Sequence, residues 1–102
     1  MPDKLVTVNI TFKNTEATDA IRAYASEKIS VCLKKFVHQN TEAHVVLRVE
    51  RTRHIAEVSL HSDGHDFACK EESADLYASI DALVASLTQQ LRKHKERMTA
   101  HH

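Results

Sequence analysis

The spacing of the apolar residues changes three times along the chain, and this limits the fold more than any other feature. Apolar and polar residues alternate over residues 4–12, which is typical of a half-buried strand. From Thr18 to Phe36 apolar residues recur every three or four positions, which indicates an amphipathic helix with Thr18 as its N-cap. Alternation then returns in three segments, at residues 43–50, 54–62 and 66–70.

A second amphipathic helix follows these strands, and we expect Ser73 to be its N-cap and Asp75 to lie in its first turn. The Glu71-Glu72 pair is expected to complement the positive end of this helix. The Asp63-Gly64 pair is the strongest turn signal, and it joins the last two strands. Each element has one apolar face. The predicted fold is therefore α+β, in the order β-α-β-β-β-α, with a four-stranded sheet and two helices packed on one face.

Length and composition exclude several kinds of protein. A chain of 102 residues is predicted to form a single domain over residues 1–102. Its one glycine, Gly64, is too few for a phosphate-cradling loop or a dinucleotide fingerprint. The sequence has no membrane-length apolar run and no signal-peptide pattern, so we expect a cytoplasmic protein with Cys32 and Cys69 as buried thiols.

Eight histidines suggest a metal site or acid–base catalysis, but their spacing does not support either one. His61 and His65 have a suitable separation for zinc ligands, yet they lie on either side of a predicted turn. We therefore predict no catalytic residue, no metal ligand, no cofactor and no small-molecule substrate. A small histidine-dependent metal or acid–base enzyme is kept as an alternative.

The charges are balanced in number but not in position. The chain has 14 basic and 14 acidic residues. Residues 1–91 carry ten basic and thirteen acidic side chains, a net charge of −3, whereas residues 92–102 carry four basic and one acidic, a net charge of +3. The four bases are Arg92, Lys93, Lys95 and Arg97. They either complement the dipole of the second helix or form a surface that binds phosphates.

Helical spacing favours a collar of these bases around the second helix. Arg92 and Lys93 are expected on its solvent side, and Lys95 and Arg97 near the edges of its apolar stripe. Because the chain has no Trp and its few aromatic residues lie mostly on apolar stripes, stacking on single-stranded bases is disfavoured. Folded RNA recognised by shape and phosphate fits better. Further bases lie on the first helix, at Arg22, Lys28, Lys34 and Lys35, and around a hairpin corner, at Arg48, Arg51 and Arg53.

Four segments carry a resemblance to a known family: Val45–Glu50, Leu60-His61, Asp75–Leu83 and Leu91–Lys95. Together they resemble the ribosome hibernation promoting factors, a family that includes ribosome-associated inhibitor protein Y and the sigma-54 modulation proteins. The resemblance covers nearly the whole chain. Its most specific part is the Asp-Leu-Tyr-x-x-Ile-Asp-x-Leu motif followed by the basic helix end.

The resemblance implies a fold similar in order to double-stranded RNA-binding domains and a function without chemistry. Such a protein binds the small (30S) subunit and the 70S ribosome of bacteria in stationary phase or stress. It occupies the channel for messenger and transfer RNA, inhibits translation, and promotes inactive ribosome dimers with another factor. The resemblance also implies that Arg22, Lys28, Arg92, Lys93 and Lys95 face 16S ribosomal RNA, and spacing adds Arg97.

Two features of this chain differ from the family pattern and refine the expected function. The chain ends at His102, so we expect it to lack the further C-terminal domain of long hibernation factors and to be monomeric off the ribosome. The balanced total charge argues against general RNA binding, because affinity then depends on where the bases are placed. A free double-stranded RNA-binding module is kept as a second alternative.

Overall fold

The computed structural model describes the backbone of residues 5–100 and the side chains of residues 5–97. Its elements follow the predicted order β-α-β-β-β-α. They are β1 (Val6–Lys13), α1 (Asp19–Phe36), β2 (Thr41–Glu50), β3 (Arg53–Ser62), β4 (His65–Ser73) and α2 (Leu76–Ala100). No helix within the described range is both long and apolar enough to cross a membrane.

The four strands form one mixed sheet in the order β1-β2-β3-β4. β1 pairs with β2 in parallel, and β2, β3 and β4 pair antiparallel as a meander. One row of inward side chains shows the register across all four strands: Ile10, Val45, Val58 and Cys69 are successive Cα partners. The parallel pair requires a crossover connection, which α1 supplies.

Both helices pack on the face of the sheet that carries this row, as predicted. α1 contacts β1, α2 contacts β3 and β4, and the helices contact each other. Ile29 and Leu33 of α1 and Leu83 and Leu87 of α2 are fully buried in the shared core. Burying such aliphatic side chains contributes about 1.5–3 kcal/mol each, so this interface contributes strongly to stability.

Local capping and turn geometry agree with the sequence at two positions. Thr18 Oγ1 accepts a hydrogen bond from Ile21 N at 3.2 Å, which confirms Thr18 as the N-cap of α1. Asp63 and Gly64 have φ angles of 54° and 73°, the left-handed pair required by a two-residue hairpin turn. This turn joins β3 to β4, as expected.

The predicted start of α2 is wrong by two residues. Ser73 is the last residue of β4, and the helix begins at Leu76. Asp75 caps it instead, because its Oδ1 accepts a hydrogen bond from Ala78 N at 2.8 Å. Both Ser and Asp are good N-caps, so local preference did not distinguish them. The pairing of β4 with β3 decides the boundary, since His54 is the Cα partner of Ser73.

The expectation that Glu71 and Glu72 complement the N-terminus of α2 is also wrong, because both residues belong to β4. Their side chains have other partners. Glu71 Oε2 accepts a hydrogen bond from Ser86 Oγ at 2.5 Å, and Glu72 Oε1 pairs with Arg53 Nη2 at 2.8 Å. Both carboxylates therefore attach β4 to neighbouring elements.

Replacing Asp75 by Ala should lower the free energy of unfolding by about 1 kcal/mol, since the Ala78 N–H group in the first turn would then lack its acceptor. Asp75→Asn should keep most of that stability, because the amide oxygen can accept the same hydrogen bond. Ser73→Ala is the matched control and should change stability by less than about 0.5 kcal/mol. Urea unfolding followed by circular dichroism measures all three, and a larger loss for Ser73→Ala than for Asp75→Ala would contradict the assigned cap.

Candidate RNA-binding surface

The two helices run in the same direction across the sheet. In the first halves of the two helices, the ring centroids of Tyr24 and Tyr77 lie 5.1 Å apart. Further along, Cys32 Sγ lies 3.2 Å from Thr88 Oγ1. The last turn of α1 then meets Arg92. Since the contacts advance together along both helices, α1 and α2 are parallel and their C-terminal ends meet at one end of the molecule.

This arrangement gathers the cations of both helices at that end. We call it the basic end and define it as Lys34, Lys35, Arg92, Lys93, Lys95 and Arg97, all of which are exposed. The opposite end contains the helix N-termini, with Asp19 and Asp75. Cations at helix C-termini are favoured by the macrodipoles, so the local sequence of each helix supports the charge that they build together.

A groove between the helices brings together bases from both of them. This interhelical groove has a volume of about 340 Å³ and is lined by Lys28, Lys35 and Arg92 together with Glu27. Val31, which is 49% exposed, contributes apolar surface to the groove. The structure thus joins two of the predicted site residues, Lys28 and Arg92, and adds Lys35 to them.

The other α2 cations lie on different sides of the helix. Lys93 and Arg97 border a depression beside His65 on β4. Lys95 borders a separate pocket together with Leu91. With Arg92 in the interhelical groove, the four bases surround the last turns of α2, which is the expected collar.

Arg22 lies apart from the basic end. Its guanidinium carbon is 5.1 Å from the centroid of the Phe12 ring, and its Nη1 donates a hydrogen bond of 3.5 Å to the Ile10 carbonyl oxygen. These contacts hold Arg22 against β1, an edge strand of the sheet. Of the six predicted RNA-binding residues, Arg22 is the one that borders neither the interhelical groove nor the pockets around α2.

The arginines of the β2–β3 hairpin lie among acidic partners. Arg48 forms an ion pair with Glu57, and Arg53 pairs with Glu72 and with Glu50, the latter at 3.5 Å. The hydrogen bond to Glu72 raises the pKa of Arg53, and Arg53 lowers the pKa of Glu72. These charges compensate one another across the open face of the sheet, so this corner carries little unbalanced positive charge.

The histidines are spread over the molecule. His61 Nδ1 lies 2.7 Å from Asp66 Oδ1 on the exposed end of the β3–β4 hairpin, and His65 stacks on His94 with ring centroids 4.9 Å apart. Within the described residues, no group of three or more His, Cys, Asp or Glu side chains is arranged to hold a metal ion. His101 and His102 lie outside the described residues.

Comparison with known proteins identifies the family. The family model described as sigma 54 modulation protein / S30EA ribosomal protein matches residues 8–99. The chain belongs to this family. The family resemblance inferred from the sequence is thereby confirmed.

Curated relatives of this family match along most of their length. A protein of Salmonella typhimurium named ribosome hibernation promoting factor is 35% identical over 94 residues, which cover 92% of this chain and 98% of the relative. A protein of the same name from Azotobacter vinelandii is 39% identical over 90 residues, covering 88% and 83% of the two chains.

Two solved structures share the fold. The N-terminal domain of Thermus thermophilus protein Y superposes with a TM-score of 0.78 at 30% identity, covering 86% of this chain and 98% of that domain. A ribosomal subunit interface protein from Coxiella burnetii has the same TM-score of 0.78 at 20% identity, covering 87% and 97%. The fold is therefore common to proteins whose sequences differ at most positions.

Lys35 is the residue whose place in the surface the sequence did not reveal. Its charge was visible, but its position beside Arg92 depends on the relative direction of the two helices. A local sequence pattern contains no signal for that direction, because it arises from strand pairings between residues far apart in the chain.

A Tyr–Asp contact holds the far end of the helix pair together. The Tyr24 hydroxyl donates a hydrogen bond to Asp81 Oδ1 at 2.5 Å, and Lys28 Nζ lies 5.4 Å from the centroid of the Tyr24 ring. The hydrogen bond to Asp81 is the main cause of a raised pKa for Tyr24. Ionising the phenol would replace this hydrogen bond by the repulsion of two anions.

We expect absorbance titration at alkaline pH to find Tyr24 ionising above its ordinary pKa of 10.0. Because the pKa of Tyr24 is raised in the folded protein, this contact contributes fully to stability at pH values below the ordinary pKa of 10.0. It is lost as the pH rises through the folded pKa. Asp81→Asn should bring the phenol back towards its ordinary pKa, and Tyr24→Phe should remove this ionisation altogether. Identical titration curves for Asp81→Asn and the unmodified protein would rule out this coupling.

Proposed function

We propose that this chain is a non-enzymatic, cytoplasmic factor that binds the small ribosomal subunit and inhibits translation in stationary phase or stress. On this proposal it occupies the channel for messenger and transfer RNA in 30S and 70S particles and contacts 16S ribosomal RNA. It promotes inactive ribosome dimers together with another factor. It acts as a single domain and as a monomer off the ribosome, without a metal, cofactor, membrane or small-molecule substrate.

The concentration of cations at one end of a neutral molecule is the observation that carries this proposal. Six exposed Lys and Arg residues form the basic end, where both helices finish. Elsewhere Arg48 and Arg53 are compensated by carboxylates. A polyanion therefore gains most by binding at the basic end and gains little from the rest of the surface.

The family supports RNA of the ribosome as that polyanion. The Salmonella typhimurium and Azotobacter vinelandii relatives are named ribosome hibernation promoting factors, and they match this chain over most of its length. The total charge of zero also favours one docking site over general attraction to nucleic acid, since there is no net field to hold RNA elsewhere.

The residues divide into two groups on this proposal. Arg92, Lys93, Lys95 and Arg97 contact phosphates around the last turns of α2, and Lys28 contacts a phosphate at the interhelical groove. Lys35 joins this set because it lines the same groove as Arg92. Arg22, at the β1 edge, contacts a separate RNA segment.

Replacing Arg92, Lys93 and Lys95 together by Glu should abolish co-sedimentation with 30S particles, because each substitution turns a phosphate contact into repulsion. The control reverses two exposed bases away from all of the proposed contacts, Arg51 and Lys70, and so changes the net charge in the same direction. We expect the affinity of the control for 30S particles to lie within about threefold of that of the unmodified protein. Effects of total charge alone are screened beyond about 10 Å at 0.1 M salt. Circular dichroism checks that both variants are folded.

A neutral triple variant, Arg92→Gln with Lys93→Gln and Lys95→Gln, separates lost attraction from introduced repulsion. The slope of log affinity against log salt should fall by about one for each phosphate contact that is lost. Equal losses in the control and the basic-end variants would overturn the surface assignment. Equal affinity for a plain RNA duplex and for 30S particles would indicate a free double-stranded RNA-binding module.

If the protein occupies the channel for messenger and transfer RNA, ligands already bound there should compete with it. Filling 70S ribosomes with messenger RNA and initiator tRNA before adding the protein should lower its co-sedimentation at least tenfold, since the ligands would compete for one volume. Ribosomes carrying neither ligand, sedimented in the same sucrose gradient, are the control. Undiminished binding to filled ribosomes would show that the protein docks outside the channel.

A further inference from the structure

A pocket at the basic end has walls unlike those of a phosphate site. We call it the end pocket; it has a volume of about 270 Å³ and lies where α1 and α2 finish. Phe36, Phe67 and Leu91 give it apolar walls, while His38, Asp63, His94 and Lys95 contribute polar groups. Its volume lies just below the roughly 300–1,000 Å³ of small-molecule sites, so it suits one compact planar group.

The aromatic rings beside the end pocket are held in a defined arrangement. The His94 ring meets Phe67 edge to face, with centroids 5.3 Å apart and planes at 89°. On its other side it stacks on His65, with an interplanar angle of 29°. The Nε2 atom of His94 is buried and has no hydrogen-bond partner among the described residues. The His94 ring, which lines the end pocket, is thus held in place by two neighbouring rings.

Cations lie on two sides of the end pocket. Lys93 and Arg97 are beyond His94, around the depression next to β4. Lys35 and Arg92 are on the side of the interhelical groove. Lys95 borders the pocket itself. This distribution suits a chain of phosphates that passes the pocket, because the cations border three different cavities around it.

We propose that the end pocket binds one unpaired nucleobase of RNA while the cations on either side hold the flanking phosphates. This inference rests on the proposed function, in which the basic end meets ribosomal RNA. A nucleobase has apolar faces and a polar edge, which match the apolar walls formed by Phe36 and Leu91 and the polar lining that Asp63, His94 and Lys95 provide.

The end pocket also changes the prediction about stacking of aromatic residues on RNA bases. Their place on apolar stripes disfavoured stacking on bases, and Phe67 is indeed only 3% exposed. Tertiary packing nevertheless leaves Phe36 and Phe67 lining a cavity next to the cations. An unpaired base would add specificity that phosphate contacts alone do not provide.

Chemical probing of 16S RNA in 30S particles tests the proposal directly. Reagents that modify the Watson–Crick edges of unpaired bases report a base that enters the pocket, and hydroxyl-radical cleavage reports the backbone. With the unmodified protein, we expect at least one unpaired base to be protected within the backbone footprint. With His94→Leu, protection of that base should fall at least fivefold while the backbone footprint persists, since one base–ring contact is worth about that factor.

His65→Leu is the matched control, because it removes the neighbouring imidazole of the same stack but does not line the end pocket. It should keep the base protected. His38→Glu is a second variant at an exposed position that borders the pocket, so it leaves the core intact. Its carboxylate should also weaken protection of the base by repelling the adjacent phosphates.

The outcomes separate this inference from the proposed function. A backbone footprint with no base protection, or with protection that survives both His94→Leu and His38→Glu, would overturn the pocket and leave ribosome binding standing. The absence of any footprint would overturn both.

Discussion

The parallel pairing of β1 with β2 sets the direction of the elements that follow. Two parallel neighbours need a crossover, and α1 makes it by running back across one face of the sheet. The antiparallel strands β3 and β4 then return the chain so that α2 enters the same face in the same direction as α1. The apolar stripes of both helices meet there in one core, and their C-terminal ends meet as well.

That geometry places the basic C-terminal ends of both helices on one surface. Each helix finishes with cations, as its own dipole favours, and each such term is worth about 0.3–1 kcal/mol. Where the two ends meet, exposed cations of both helices lie on one surface that an anionic partner can contact. The hairpin arginines, in contrast, pair with Glu57 and Glu72. The placement of the basic residues and their pairing with carboxylates therefore affect the binding of an anion more than their number does.

Much of the fold could be predicted from the sequence because it depends on local patterns. The order of elements, the inward faces of the strands, the Thr18 cap and the Asp63-Gly64 turn all follow from residues close together in the chain. The start of α2 could not be placed, because Ser73 and Asp75 are both good caps and the pairing of β4 with β3 decides between them.

The sequence by itself determined that four bases crowd the end of the second helix and that apolar stripes would cover one face of a sheet. Only the tertiary structure decided that Lys28, Lys35 and Arg92 share a groove, that Arg22 lies apart, and that an apolar pocket opens beside the cations. The physical reason is the range of the interactions involved. Periodicity and capping act within a few residues, whereas the direction of one helix relative to another depends on strand pairings between distant parts of the chain.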